Sequence, residues 1–294
     1  MERDFTQQVV VRDLRQYSQI YLVPLADLHI GCRDVALDVI QGYINWIKEH
    51  ENAYTILNGD LMNCATKDST PELYDDLVTP DMAYKQLIEL LEPIKSKILM
   101  ITRGGHEEHI YRISGHDHMA HLAHALSPNG VLETDYSQDI PYKPDGGMLA
   151  ITLGTSYINS NKVHGSTNVQ RCIIYAVHGW GGARTIGAKA NKVEELTKVA
   201  EADCYILSHD HTQVVHRLNI LAVSGHNSTI PFMKTKRKLL VNTGGFINYS
   251  GYIQRKGYIP QDLGTPRIRI EAKRKNYGHG TLRADYYLDL HASI

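Results

Sequence analysis

An α/β fold with a metal site along one sheet edge is what the sequence predicts, on three observations. Five short apolar runs of strand character each end on a residue able to ligate a metal. Segments of helical spacing separate them, and beyond about residue 208 the pattern changes to successive strands without helices.

The five runs are Ile20 to Ala26, leading to Asp27 and His29; Tyr54 to Leu57, leading to Asn58-Gly59-Asp60; Ile98 to Ile101, leading to Gly104-Gly105-His106; Cys172 to Val177, leading to His178; and Cys204 to Leu207, leading to Ser208-His209-Asp210-His211. In open α/β sheets the crevice outside the carboxyl ends of the strands binds ligands, because rigid strand exits converge there. With sixteen histidines in the chain, one Asp-x-His means little; the repeated placement carries the weight.

Helical spacing marks 34–50 after a possible Asp34 cap, 81–91 with Asp81 as cap and Pro93 helping to end it, 118–126, and 188–200. The alternation of strand and helix to about residue 208 argues for parallel β/α/β units. Strands are expected at 212–222, 238–242, 267–272 and 282–290, forming a second, more antiparallel sheet packed on the first.

A chain of 294 residues with 43% apolar content can bury a large core. One domain spanning 1–294 is expected, because the candidate ligands run from Asp27 to His211 and must meet, and no Pro- or Gly/Ser-rich linker divides them. The polar start, 1–8, does not read as a signal peptide, and no run approaches the roughly 18 apolar residues of a membrane span. Cys32, Cys64, Cys172 and Cys204 form no C-x-x-C pair and read as reduced thiols of a cytoplasmic protein. Residues 1–150 hold 12 Lys+Arg against 23 Asp+Glu, and 151–294 hold 19 against 9. The basic half suits either an anionic substrate or the acidic half of the same chain.

Side chains two apart in a strand point the same way, so Asp27 with His29, and His209 with His211, are expected to reach one ion in pairs. The six candidates Asp27, His29, Asp60, His178, His209 and His211 exceed what one four-coordinate zinc needs. Their N/O character without thiolate suits Mn²⁺, Fe²⁺, Zn²⁺ or Ni²⁺. Two such ions about 3.5–4 Å apart clamp the attacking and leaving oxygens of phosphoryl hydrolysis.

Asp27-Leu28-His29, Gly59-Asp60 with Asn63, Gly105-His106-Glu107, His178-Gly179 and His209-Asp210-His211 resemble, in order, the five motifs of the calcineurin-like metallophosphoesterases. The compact layout is also similar to phosphoesterases encoded by bacterial viruses. The resemblance implies a four-layer α/β/β/α sandwich with two mixed sheets and a dinuclear centre at the strand ends. It implies Asp27, His29, Asp60 and His211 around one metal and Asp60, His178 and His209 around the other, Mn²⁺ foremost, with a bridging hydroxide attacking phosphorus. His106 would stand beside the phosphoryl group as acid or charge stabiliser, with Asn63 behind it.

The chain departs from the family where Gly105 replaces the Asn that ligates the second metal, leaving water, Glu107 or His109 to fill the gap and lowering activity. Ser208 stands where the family usually has Gly. The expected substrate is a phosphodiester or phosphomonoester of nucleotide type, cyclic nucleotides included. A DNA or RNA nuclease, or a catalytically weakened binding scaffold, are the alternatives.

The stretch Gly179-Trp180-Gly181-Gly182-Ala183-Arg184, with Lys189 and Lys192 after it, suits an anionic group or forms a plain turn out of the site. Gly244-Gly245-Phe246 and Tyr249, Tyr252 and Tyr258 near Arg255 and Lys256 suit base stacking or packing, and Lys234, Lys236, Arg237 and Lys238 suit a solvated hairpin. His116, His118, His121 and His124 read as a helix face, and His164, His226 and His279 as loop residues.

Overall fold

The computed structural model describes residues 9–65, 76–127, 140–159, 162–224, 232–251, 254, 257, 259–276 and 284–294. Tyr252, Arg255, Lys256, Tyr258, His226 and His279 lie outside them.

Two sheets stack face to face. The five-stranded sheet runs β11(Ala284–Ser293), β10(Arg267–Asn276), β2(Gln19–Leu25), β3(Ala53–Asn58), β4(Ile98–Thr102). The six-stranded sheet runs β1(Val10–Leu14), β5(Gly147–Asn159), β6(Lys162–Val177), β7(Cys204–Leu207), β9(Phe232–Asn242), β8(Val214–Ser224). β2–β3–β4 are parallel in one sheet, as are β6–β7–β9 in the other, and antiparallel strands complete each. The expected division near residue 208 is therefore corrected. The early strands split between both sheets, and so do the late ones: β1 already lies in the six-stranded sheet, parallel to β5, which runs antiparallel to β6 well before that point.

The central strands are apolar throughout because both their faces are covered. Ile20, Leu22, Tyr54 and Ile56 of one sheet meet Cys204, Ile206, Leu239 and Val241 of the other in the middle core. The alternate residues Val23, Leu25, Ala53 and Leu57 turn outward to α1(Leu37–Glu49), α2(Pro80–Leu91) and α4(His118–Ala125). Tyr205, Leu207 and Leu240 pack under Val193 of α5(Ile186–Glu195). Four layers result, helices outside and sheets inside.

Helix starts differ from the expected ones by a residue or two. Ala36, not Asp34, precedes α1, and Thr79, not Asp81, caps α2 by accepting from Met82 N. α3(Gly105–Ser114) was hidden by its glycine-rich entry, and His164 lies in β6 rather than a loop. No helix among the described residues is long and apolar enough to cross a membrane.

Candidate metal centre

Both parallel triplets deliver their carboxyl ends to one place. Asp27 N donates to Gly59 O at 3.0 Å, His29 N to Asp60 O at 3.1 Å and Ser208 N to His178 O at 2.9 Å. Across the sheets, His209 N donates to Asp27 Oδ2 at 2.9 Å.

The backbone here is unusual. Asp27, His29, Asp60, His209 and His211 have φ of 53°, 48°, 48°, 74° and 51°, and Cys64 is the one other non-glycine with positive φ among the described residues. Each such residue costs of order 1–3 kcal/mol and persists where its surroundings over-determine it, which is common at functional sites. The expectation that Asp27/His29 and His209/His211 pair through extended geometry is corrected accordingly: β2 stops at Leu25 and β7 at Leu207, and the four residues sit in left-handed loops beyond them.

Their side chains nonetheless converge. The ligating atoms of Asp27, His29 and His211 lie within 4.8 Å of one another, as do those of Asp60, His178 and His209. A third set, His29, Asp60 and His106, joins the other two, so Asp60 spans the centre. His211 Nε2 is 3.2 Å from Asp27 Oδ1, and His178 Nε2 is 3.0 Å from Asp60 Oδ2. His29 Nε2 and His211 Nε2 face each other at 3.2 Å.

These residues fit divalent cations. Asp27 Oδ1 and His178 Nε2 are buried and, although close to His211 and Asp60, make no hydrogen bond of good geometry, so both are open to a cation. Burial disfavours the charge on Asp60, yet His178 and His106 hold its carboxyl well below the usual range; His211, likewise against burial, lowers that of Asp27. Burial, with His106 and His211 beside it, keeps His29 neutral and so able to ligate. Burial opposes a proton on His178, but the Asp60 charge outweighs it and raises the imidazole to about 10. Carboxylates that attract protons this strongly attract cations for the same reason.

His106 enters from the first turn of α3. Its backbone N–H donates to Asp60 Oδ1 at 2.8 Å, and its Nδ1 contacts the Asn63 carbonyl, which leaves Nε2 for other partners. Asn63 thus acts on His106 through its backbone, while its side-chain amide donates to Asp76.

Glu107 does not fill the gap left by Gly105. Its carboxylate, 1% exposed, accepts from the backbone N–H groups of Asp60, Leu61, Met62 and Gly104. The bond from Gly104 is half of a capping box, and the others lock the Asp60 loop onto α3. Burial and the Asp60 charge push this carboxyl up, against the Met62 N–H bond.

The glycines around the centre differ sharply. A Cβ on Gly104 would lie 2.1 Å from both Asp60 N and Asp60 Oδ1, so only glycine permits that approach. A Cβ on Gly105 meets nothing within 4 Å, so a side chain can start there without a clash.

Of the residues expected to bind substrate, Gly181, Gly182 and Arg184 are exposed. Lys189 is corrected: it is 4% exposed, and its Nζ donates to Asp210 O at 2.9 Å and to Thr212 Oγ1. His116 and His118 meet edge to face at 4.5 Å, and His116 stacks on His121 at 4.3 Å.

The role of Asn58 escaped the sequence reading, and Lys192, read there as suiting an anionic group, has another partner. Asn58 donates to Val177 O at 2.9 Å and to Ser208 Oγ at 2.7 Å, accepts from Thr102 at 3.0 Å, and offers its carbonyl to His178 Nδ1 at 2.7 Å. It therefore ties four strand ends, and Ser208 contributes a hydroxyl that glycine lacks. Lys192 bonds Asp210, between two candidate ligands. The place of Asn58 immediately before Gly59-Asp60 was the one available signal for its role; the spacing of Lys189 and Lys192 did not point to Asp210 as their partner.

No family model matches the chain, and no curated protein does. Among solved structures, a conserved uncharacterised protein from Streptococcus pneumoniae TIGR4, described as a predicted phosphoesterase, aligns at 12% identity and TM-score 0.34 over 94% of this chain and 98% of that one. Chaetomium thermophilum Vps29 aligns at 10% identity and TM-score 0.33 over 93% and 97%, and Pseudomonas putida nuclease MPE at 11% and 0.33 over 90% and 87%.

Proposed function

We propose that the chain is a divalent-metal-dependent phosphoesterase of the calcineurin-like kind, acting on phosphodiester or phosphomonoester bonds, with nucleotides, cyclic ones included, as the favoured substrates. The observation that carries this reading is the pair of Asp/His sets, Asp27–His29–His211 and Asp60–His178–His209, each with two buried members and a half-buried His, joined through Asp60 and flanked by His106. The N/O donors favour Mn²⁺, with Zn²⁺, Fe²⁺ and Ni²⁺ as alternatives. Bound there, two cations supply positive charge for the phosphoryl oxygens and an acidified water.

The chain's own groups do the rest. The Asn63 carbonyl orients the His106 ring so that Nε2 hands a proton to the leaving oxygen. The His106 N–H fixes one Asp60 oxygen, and the other faces His178. Arg184 with Gly181 and Gly182 forms the exposed surface proposed to receive a further anionic part of the substrate. Because ligands come from both sheets, the reading treats 1–294 as one domain, and the four free cysteines suit the reducing cytoplasm.

One observation favours a second reading, a binding scaffold with weakened catalysis: Gly105 offers no side chain to the second set. Hydrolysis of bis-p-nitrophenyl phosphate with Mn²⁺, comparing the native chain with Gly105→Asn and measuring metal in both, separates the two. Turnover by the native chain supports the enzyme. Metal bound without turnover in either form refutes it and favours the scaffold.

A further inference from the structure

The loop that carries His209 and His211 holds a strained backbone, with φ of 74° at His209 and 51° at His211. Such geometry needs an external hold. Asp210, between the two loop histidines, has a side chain only 2% exposed, and both its oxygens receive the Lys192 ammonium, at 2.8 and 2.9 Å. The same Nζ lies 3.5 Å from Gly181 O, on the loop that leaves His178. One helical turn earlier on α5, Lys189 takes the Asp210 carbonyl at 2.9 Å together with the Thr212 hydroxyl. Asn242, at the end of β9, reaches Asp210 Oδ2 at 3.5 Å.

Two lysines of one helix therefore grip the side chain and the backbone of a single residue lodged between two candidate ligands, and one of them reaches the loop of a third. We infer that Lys192, with Lys189 beside it, is a positioning residue that presents His178 and His209 jointly to the second metal, in place of the anion-binding role that the basic run in the sequence suggests. The inference rests on the metal reading proposed above. It assigns the device to this set because Gly105 leaves it the poorer in ligands, so that placement of the remaining three matters most. Groups behind metal ligands act by fixing their orientation, and losing one typically costs about 10–100-fold in metal affinity.

The test is a Co²⁺ titration of the full chain, stripped by chelation, followed by visible absorption and calorimetry for the native protein, Lys192→Met and Lys192→Arg. The native chain is expected to take two equivalents. Lys192→Met should weaken one of them about 10–100-fold and change its absorption band while leaving the other in place. Lys192→Arg, whose fork can engage both Asp210 oxygens, should restore native behaviour. A general structural role would weaken both equivalents together and lower the melting temperature in parallel, which would overturn the inference. So would two native equivalents beside an unchanged Lys192→Met. A native chain that takes up no Co²⁺ overturns the metal reading and this inference with it. If Lys192→Met does not fold, Asp210→Asn removes the buried charge along with the tie and is judged by the same split between equivalents.

Discussion

Gly104 and Gly105 are neighbours with opposite demands, and substituting alanine at each tests how the centre is packed. At Gly104 the new methyl would stand 2.1 Å from Asp60 N and Oδ1 and 2.7 Å from Asp60 Cγ. The two nearest atoms are more than an ångström short of ordinary contact, and one of them, Asp60 N, is backbone that cannot swing aside. Overpacking of this kind costs about 1–3 kcal/mol, and the upper end applies here, which for a chain of 294 residues corresponds to a loss of about 5 °C in melting temperature. Asp60 must move, so metal content should fall as well. At Gly105 the methyl meets nothing within 4 Å in the first turn of α3. Alanine there should gain about 0.4–1 kcal/mol by restricting the unfolded chain. Thermal melts and metal analysis of the two variants read both effects. A Gly104→Ala protein that melts with the native chain and keeps its metal would refute the claim that close approach at Gly104 places Asp60.

His106→Ala should retain metal while turnover falls about 10²–10⁴-fold, since its backbone N–H still holds Asp60; loss of metal instead would make His106 a ligand. Glu107→Gln turns an amide nitrogen toward a set of backbone donors and should cost about 1–3 kcal/mol in urea unfolding, and an unchanged midpoint would contradict the clamp. His178, raised by Asp60 against burial to about 10, stabilises the metal-free fold fully below its ordinary value near 6.5, and that contribution fades as pH rises through about 10. A cation competes with that proton, so apparent metal affinity should increase from about pH 7 to about pH 9; calorimetry showing the reverse would be inconsistent with it.

What the sequence disclosed was the chemistry at strand ends. Val-, Ile- and Leu-rich runs stopping on Asp27, Asp60, His178 and His209 identify a shared edge without any tertiary knowledge, because both faces of those strands are buried. Sheet membership was not legible. Parallel runs look alike whichever sheet holds them, and β5, with Gly147 and Gly154 inside it and no ligand at its end, carried no mark of its place in the second sheet. α3 was missed because Gly104-Gly105 reads as a loop, whereas its start is fixed by Glu107 bonding back to Gly104 N. Lys189 was misread because a lysine near a glycine-rich loop suggests an anion, and only the fold reveals that the Asp210 carbonyl and the Thr212 hydroxyl hold it.

The central claim is that the six Asp and His side chains form one centre for two cations with Asp60 at its middle. Mn²⁺ equivalents retained by the native chain and by Asp60→Asn, measured by metal analysis after equilibrium dialysis, test it most directly. The account predicts two equivalents for the native chain and loss of at least the one at His178 and His209 for Asp60→Asn. Equal metal content in the two proteins would contradict it, as would a native chain that retains none.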